Sequence, residues 1–155
     1  RFVVAAAPAR SEADYAKYIG GREYVSVVFG QSYAVMRHAK AAVVNSGTAS
    51  LECALVGTPQ VVAYKGAEIN FLIAKMIIKI QYISLGNLIL DRICFRELLQ
   101  YYFTPDNVLY EVRRMIEDEE YRSAMLAGYQ EIRDALGGEG ASAAVARAMI
   151  EELKK

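Results

Sequence analysis

The residues best suited to chemistry are Asn45-Ser46-Gly47-Thr48-Ala49-Ser50-Leu51-Glu52, followed by Gly57-Thr58-Pro59. A turn of glycine and small hydroxyl residues leading into a helix presents bare backbone N–H groups, which attract phosphate. Gly47 lets a ligand come close to the backbone. Glu52 lies four residues after Thr48, on the same helix face and one turn deeper. With Ser46 as N-cap, the reciprocal capping-box position falls on Ala49, so Glu52 is not the cap partner. A phosphate held at the turn would bring an attached ribose near Glu52. A carboxylate accepting from two neighbouring hydroxyls is the ribose chemistry of dinucleotide sites. The same residues also suit an ordinary N-capped helix with a surface glutamate favoured by the dipole.

These residues need a strand before and a strand after them. Ala41-Ala42-Val43-Val44 and Gln60-Val61-Val62-Ala63-Tyr64 supply both, so the segment reads as a βαβ unit. Upstream, Phe2 to Ala7 reads as a strand closed by Pro8, and Ser11 caps a helix through Tyr18 that stops at Gly20-Gly21. Tyr24 to Phe29 is a second strand, ended by Gly30. Gln31 to Lys40 is a short helix with Val35 and Met36 facing inward. Four strands alternating with helices predict an α/β fold: a Rossmann-like parallel sheet with helices on both faces. Four strands are few for a doubly wound sheet, and a further strand N-terminal to Arg1 would complete it.

Downstream, Ala67 to Ile80 reads as an apolar helix containing Phe71, Leu72 and Met76 with Lys75 and Lys79. Its two faces suit acyl chains or a bilayer surface, or equally a core helix whose lysines snorkel outward. Residues 81–90 read as irregular, extended at Tyr82-Ile83-Ser84 and broken at Gly86. Residues 91–102 are expected to hold a short helix. Thr104 caps a helix with Pro105 at its first position, running to about Asp118. Another helix spans about Glu120 to Ala135, closed by Gly137-Gly138, and Ala141 to Lys154 forms a final amphipathic helix. The expected division is a domain over 1–136 and a C-terminal helix within 137–155.

Composition narrows the partners. Eighteen basic residues balance eighteen acidic ones in 155 residues, which gives no footprint for nucleic acid. Cys53 and Cys94 have neither metal-ligand spacing nor a disulfide framework, and suit a reducing compartment. No metal site and no cofactor are expected. No apolar run is long enough to cross a bilayer, and the N-terminus reads as a strand rather than a signal peptide. His38, the one histidine, sits near a helix C-terminus, where a dipole contact competes with any catalytic role.

Three stretches carry a family resemblance. The first is Ser46 to Glu52 with Gly57-x-Pro59-x-Val61-Val62-x-Tyr64. The second is Phe71-x-x-Ala74-Lys75 with Tyr82-Ile83-Ser84-Leu85-x-Asn87-Leu88. The third is Arg92 with Glu97-Leu98-Leu99-Gln100. Together they resemble the lipid-A-disaccharide synthases, which are membrane-associated glycosyltransferases of the GT-B architecture. Gly86 stands where that family usually has proline, and Lys65 where it commonly has arginine. The spacing around Ile93-Cys94-Phe95 leaves open whether Arg92 or Arg96 is the family arginine.

The resemblance implies the C-terminal, donor-binding half of such an enzyme. The implied reaction transfers diacylglucosamine from UDP to diacylglucosamine 1-phosphate. The acceptor-binding domain and the catalytic carboxylate would precede Arg1, so no catalytic residue is expected within these 155. The implied UDP-sugar contacts are Gly30, Ser46, Gly47, Thr48, Ser50, Glu52, Asn87, Glu97 and Gln100. Of these, Gly30 with Gln31-Ser32 is placed to approach the base, or forms a plain strand-to-helix turn. Asn87, Glu97 and Gln100 meet the donor or the neighbouring domain, or act as loop and capping groups. The resemblance also implies a lipid acceptor, contact with a membrane surface, a possible homodimer, and a cytoplasmic location at the inner face of the inner membrane. Other UDP-sugar GT-B enzymes and a non-catalytic α/β binding module are the competing readings.

Overall fold

The computed structural model describes residues 1–45, 47–66, 81–137 and 141–153. Ser46, the expected helix Ala67–Ile80 and Gly138 lie outside the described residues. Runs of β-branched residues form the strands β1 (Phe2–Ala6), β2 (Val25–Phe29), β3 (Ala42–Asn45) and β4 (Gln60–Tyr64). A fifth strand, β5, covers Glu97–Leu99. The helices are α1 (Glu12–Ile19), α2 (Ser32–His38), α3 (Thr48–Val56), α4 (Leu85–Leu90), α5 (Pro105–Glu117), α6 (Glu119–Leu136) and α7 (Ala141–Leu153).

Among the described residues all strand pairing is parallel and falls into two sheets, β1-β2 and β3-β4-β5. Successive residues of a strand point to opposite faces. Val61 and Val62 of β4 are both fully buried, so β4 is covered on both sides. The core gathers on this strand, with Ala54 from α3, Phe95 and Leu98 around β5, Met115 from α5, and Met125, Tyr129 and Ile132 from α6. Phe95 and Tyr129 meet edge to face at 5.9 Å, and the Tyr129 hydroxyl donates to the Thr58 carbonyl at 3.1 Å. The result is an α/β fold of parallel sheets flanked by helices, as the alternation of elements predicts.

Helix starts follow their local chemistry. Both the N–H and the hydroxyl of Ser11 donate to the Asp14 carboxylate, at 2.9 and 3.0 Å. Thr104 accepts from the Asn107 N–H at 3.3 Å, with Pro105 first in α5. Asp118 ends α5 and starts α6, its carboxylate accepting from the Tyr121 N–H at 2.9 Å.

Two expectations need correction. Residues 91–102 hold no α-helix: a strand comes first, and the short helix is a single 3-10 turn at the end. Glu97, Leu98 and Leu99 pair with Val62, Ala63 and Tyr64, and a 3-10 turn over Gln100–Tyr102 follows. A parallel partner and burial of Leu98 override the helical preference of Glu-Leu-Leu-Gln. Nor does Gly86 break the chain, because it lies buried inside α4. A Cβ there would stand 2.8 Å from the Phe95 ring and 3.0 Å from Ile132 Cδ1. Close packing, not a turn, accounts for the glycine.

Candidate functional site

Strand β3 ends at Asn45, and α3 begins three residues later. Gly47, rather than the expected Ser46, occupies the N-cap, with φ 133° and ψ −159°. Only glycine takes that conformation at little cost, and open space surrounds its α-carbon. No side chain caps α3 from Gly47, and its first turn carries no acidic residue. α1, α5 and α6 carry acidic residues in their first turns, whereas α2, α4 and α7, like α3, do not. Thr48 is exposed at the opening. The start of α3 therefore keeps its positive dipole end without an internal carboxylate to neutralise it.

Ser50 turns inward. It is fully buried, and its hydroxyl donates to the Gly47 carbonyl at 2.7 Å. Its own carbonyl accepts from Gln60 Nε2 at 2.8 Å. Ser50 thus shapes the turn and ties it to β4, and its hydroxyl is already engaged. Glu52 is half-buried, one turn below Thr48, and makes no ion pair among the described residues.

The strands β3, β4 and β5 run parallel, so their carboxyl ends share one edge. That edge brings the Gly47 turn together with Gln100, which follows β5. Gln100 is buried, holds a left-handed φ of 50°, and donates through Nε2 to the Gly66 carbonyl at 3.3 Å. Gly30 also has a left-handed φ, 67°, with open space around it. It ends β2, however, and so belongs to the other sheet.

Asn87 and Glu97 form a separate polar cluster. Asn87 is fully buried. Its amide donates to the Phe95 carbonyl and to Glu97 Oε1, both at 2.9 Å. Its Oδ1 accepts from the N–H groups of Cys94 (2.8 Å) and Phe95 (3.3 Å). Glu97 accepts from the N–H groups of Ile83 and Ser84 at 3.0 Å and from the Ser84 hydroxyl. This is a carboxylate placed at the start of α4, where the helix dipole favours it. Asn87 is thereby spent inside the protein, and Glu97 acts first as a helix cap.

Sequence reasoning missed three contributors. Gln60 is buried beneath Ser50, Ser84 stands at the N-cap position of α4 with its hydroxyl donating to Glu97, and Arg133 reaches from α6 to the far end of α3. A cavity of about 460 Å³ lies elsewhere, between the loop before β5 and the helices α5 and α6. Arg92, Arg96, Glu111, Arg114 and Tyr121 are among its walls. It contains none of the expected site residues. Arg92 is held there by Glu131 at 2.6 Å. Burial pushes the thiols of Cys53 and Cys94 up to about 11, as suits packed rather than reactive cysteines. Among the described residues, no group of three acidic, His or Cys side chains is arranged to hold a metal. No described helix is long and apolar enough to cross a membrane.

Parallel strands with a glycine-opened turn into a helix at their carboxyl edge define a Rossmann-like α/β domain. The family model described as Lipid-A-disaccharide synthetase matches residues 9–149. The lipid-A-disaccharide synthase of Trichlorobacter lovleyi is 34% identical over 156 residues, covering 98% of this chain and 41% of that protein. That of Anaeromyxobacter dehalogenans is 34% identical over 97% of this chain and 40% of that protein. That of Acidobacterium capsulatum is 35% identical over 75% of this chain. The chain belongs to the lipid-A-disaccharide synthase family. It spans about two fifths of the length of the relatives that match it along nearly its whole length.

Proposed function

We propose that this chain is the donor-binding part of a lipid-A-disaccharide synthase, a hexosyltransferase. It binds UDP-diacylglucosamine for transfer of the sugar to diacylglucosamine 1-phosphate. The acceptor hydroxyl attacks the anomeric carbon and UDP departs, so negative charge grows on the β-phosphate. The observation that carries the reading is the Gly47 turn. It is a positive-φ glycine opening an acid-free helix at the carboxyl edge of a parallel sheet, inside the region matched by the family. Such a helix end stabilises a nearby anion by about 0.3–1 kcal/mol, and by up to ~2 kcal/mol when partly buried. Ser46, Gly47 and Thr48 hold the diphosphate in this reading, and Glu52 accepts from the ribose hydroxyls. Gln100 and Gly30 border the donor, while Ser50, Asn87 and Glu97 shape the loops around it.

The two sheets support the companion reading that a strand outside this chain completes the domain. β1 and β3 each present an edge with no partner among the described residues, and a doubly wound order places one strand between two such edges. Phe2 and Val43 on those strands are 63% and 50% exposed. Helix α7 supports a second domain in the same way: Val145, Met149, Ile150 and Leu153 form one exposed apolar stripe, suited to packing on the acceptor-binding half or on a second copy. A lipid acceptor and a lipid-carrying donor favour work at the cytoplasmic face of the inner membrane.

Calorimetric titration with UDP tests the donor site. The chain is expected to bind weakly, and Glu52→Ala to weaken binding at least about tenfold, the loss of a charged hydrogen bond. Unchanged binding in the variant removes the ribose role. If neither this chain nor a longer protein containing it binds UDP, the donor-site reading fails.

A further inference from the structure

Helix α3 is gripped at the end opposite its ligand turn. Arg133, from α6, donates to the Leu55 carbonyl through Nε at 3.3 Å and Nη2 at 3.0 Å. Nη2 also reaches the Ala54 carbonyl at 3.2 Å. Behind it, Nη1 donates to Gln130 Oε1 at 3.2 Å, so the guanidinium is fixed on both sides. α3 has no basic residue in its own last turn, the place where a cation complements the helix dipole. Arg133 provides that charge from another helix. Gly57 closes α3 with φ 92°, and a Cβ there would come within 3.4 Å of Arg133 Nη2.

The buried face of α3 consists of Ser50, Cys53 and Ala54. The fully covered side chains are small, and the one large side chain of α3 that packs against the core is the partly buried Leu51 near its middle. A nine-residue helix is about 13 Å long and moves as a rigid rod, so its far end sets the position of its near end. Two polar ties fix this rod: Gln60 to Ser50 near the start, and Arg133 to Ala54 and Leu55 at the end.

We propose that Arg133 is a positioning residue for the donor-phosphate turn. By holding the terminal carbonyls of α3, it sets the axial position and tilt at which Gly47 and Thr48 meet the diphosphate. This rests on the donor-site reading above, and the test separates the two.

The experiment compares Arg133→Met, which keeps the length and loses the charge, with Arg133→Lys, which keeps the charge and loses the fork. Amide resonances of Gly47 and Thr48 are recorded first, without ligand, and UDP affinity is then measured by titration. Arg133→Met is expected to shift both resonances from the far end of the helix and to weaken UDP binding about tenfold. Arg133→Lys is expected to recover part of each. Unmoved resonances and wild-type affinity, with only a lower unfolding temperature, would make Arg133 a simple brace and overturn the proposal. If neither the wild-type chain nor a longer protein containing it binds UDP, the donor reading fails on its own, and the resonances still decide whether Arg133 positions the turn. Should Arg133→Met fail to fold, Arg133→Lys is judged by the same two readouts.

Discussion

The side-chain amide of Asn87 donates to the carboxylate of Glu97 at 2.9 Å, and this bond joins helix α4 to the first residue of strand β5. Through Glu97 the cluster holds the start of α4, and through Asn87 it holds the loop at Cys94 and Phe95. Glu97→Gln would turn an amide NH₂ toward backbone N–H donors that now face a carboxylate oxygen. Leaving such donors unsatisfied costs about 1–3 kcal/mol. Urea unfolding of Glu97→Gln should show a loss in that range with an unchanged slope. A loss below about 0.5 kcal/mol, the level of ordinary surface substitutions, would refute the capping role.

Gly86→Ala tests the packing inside α4. The new methyl would meet the buried Phe95 ring at 2.8 Å, and that ring is itself held edge to face by Tyr129. Overpacking of this kind costs about 1–3 kcal/mol, which outweighs the gain in helix propensity of at most about 1 kcal/mol. Phe95→Leu in the same background should recover part of the loss. A double-mutant cycle reads this coupling directly, and strict additivity would refute the close approach.

The same two glycine and glutamate positions show what the sequence could and could not convey. Strands β1 to β4 and the caps at Ser11 and Thr104 were legible because each depends on neighbours within a few residues. β5 was not: Glu97-Leu98-Leu99 favours a helix locally, and only the partner strand β4 makes it extended. Gly86 reads as a breaker in sequence because its reason, the Phe95 ring, comes from another segment. Within the proposed site, the glycine that opens α3 was legible from the turn itself. The inward direction of Ser50 depends on the helix starting at Thr48, with Gly47 as its N-cap. The internal engagement of Asn87 depends on a loop seven and eight residues away.

The two buried thiols make stability depend on alkaline pH. Burial raises both Cys53 and Cys94 from 9.0 to about 11. Between those values the unfolded chain has released thiol protons that the folded chain still holds. The unfolded state then binds fewer protons, so stability falls as pH rises. The contribution is fully present below about pH 9 and is lost as pH climbs through about 11. Burial also raises Tyr121 and Tyr129, which adds a further loss at higher pH. Denaturant midpoints measured from neutral pH upward should therefore decline above about pH 9. The Cys53→Ala, Cys94→Ala double variant should decline less steeply in that window, keeping only the part due to tyrosine. A thiol-reactive chromogen should label the wild-type chain at mildly alkaline pH only as fast as the chain opens, and rapidly in denaturant. Fast labelling of the folded chain, or equal slopes for the two proteins, would show that these thiols are not held in the core.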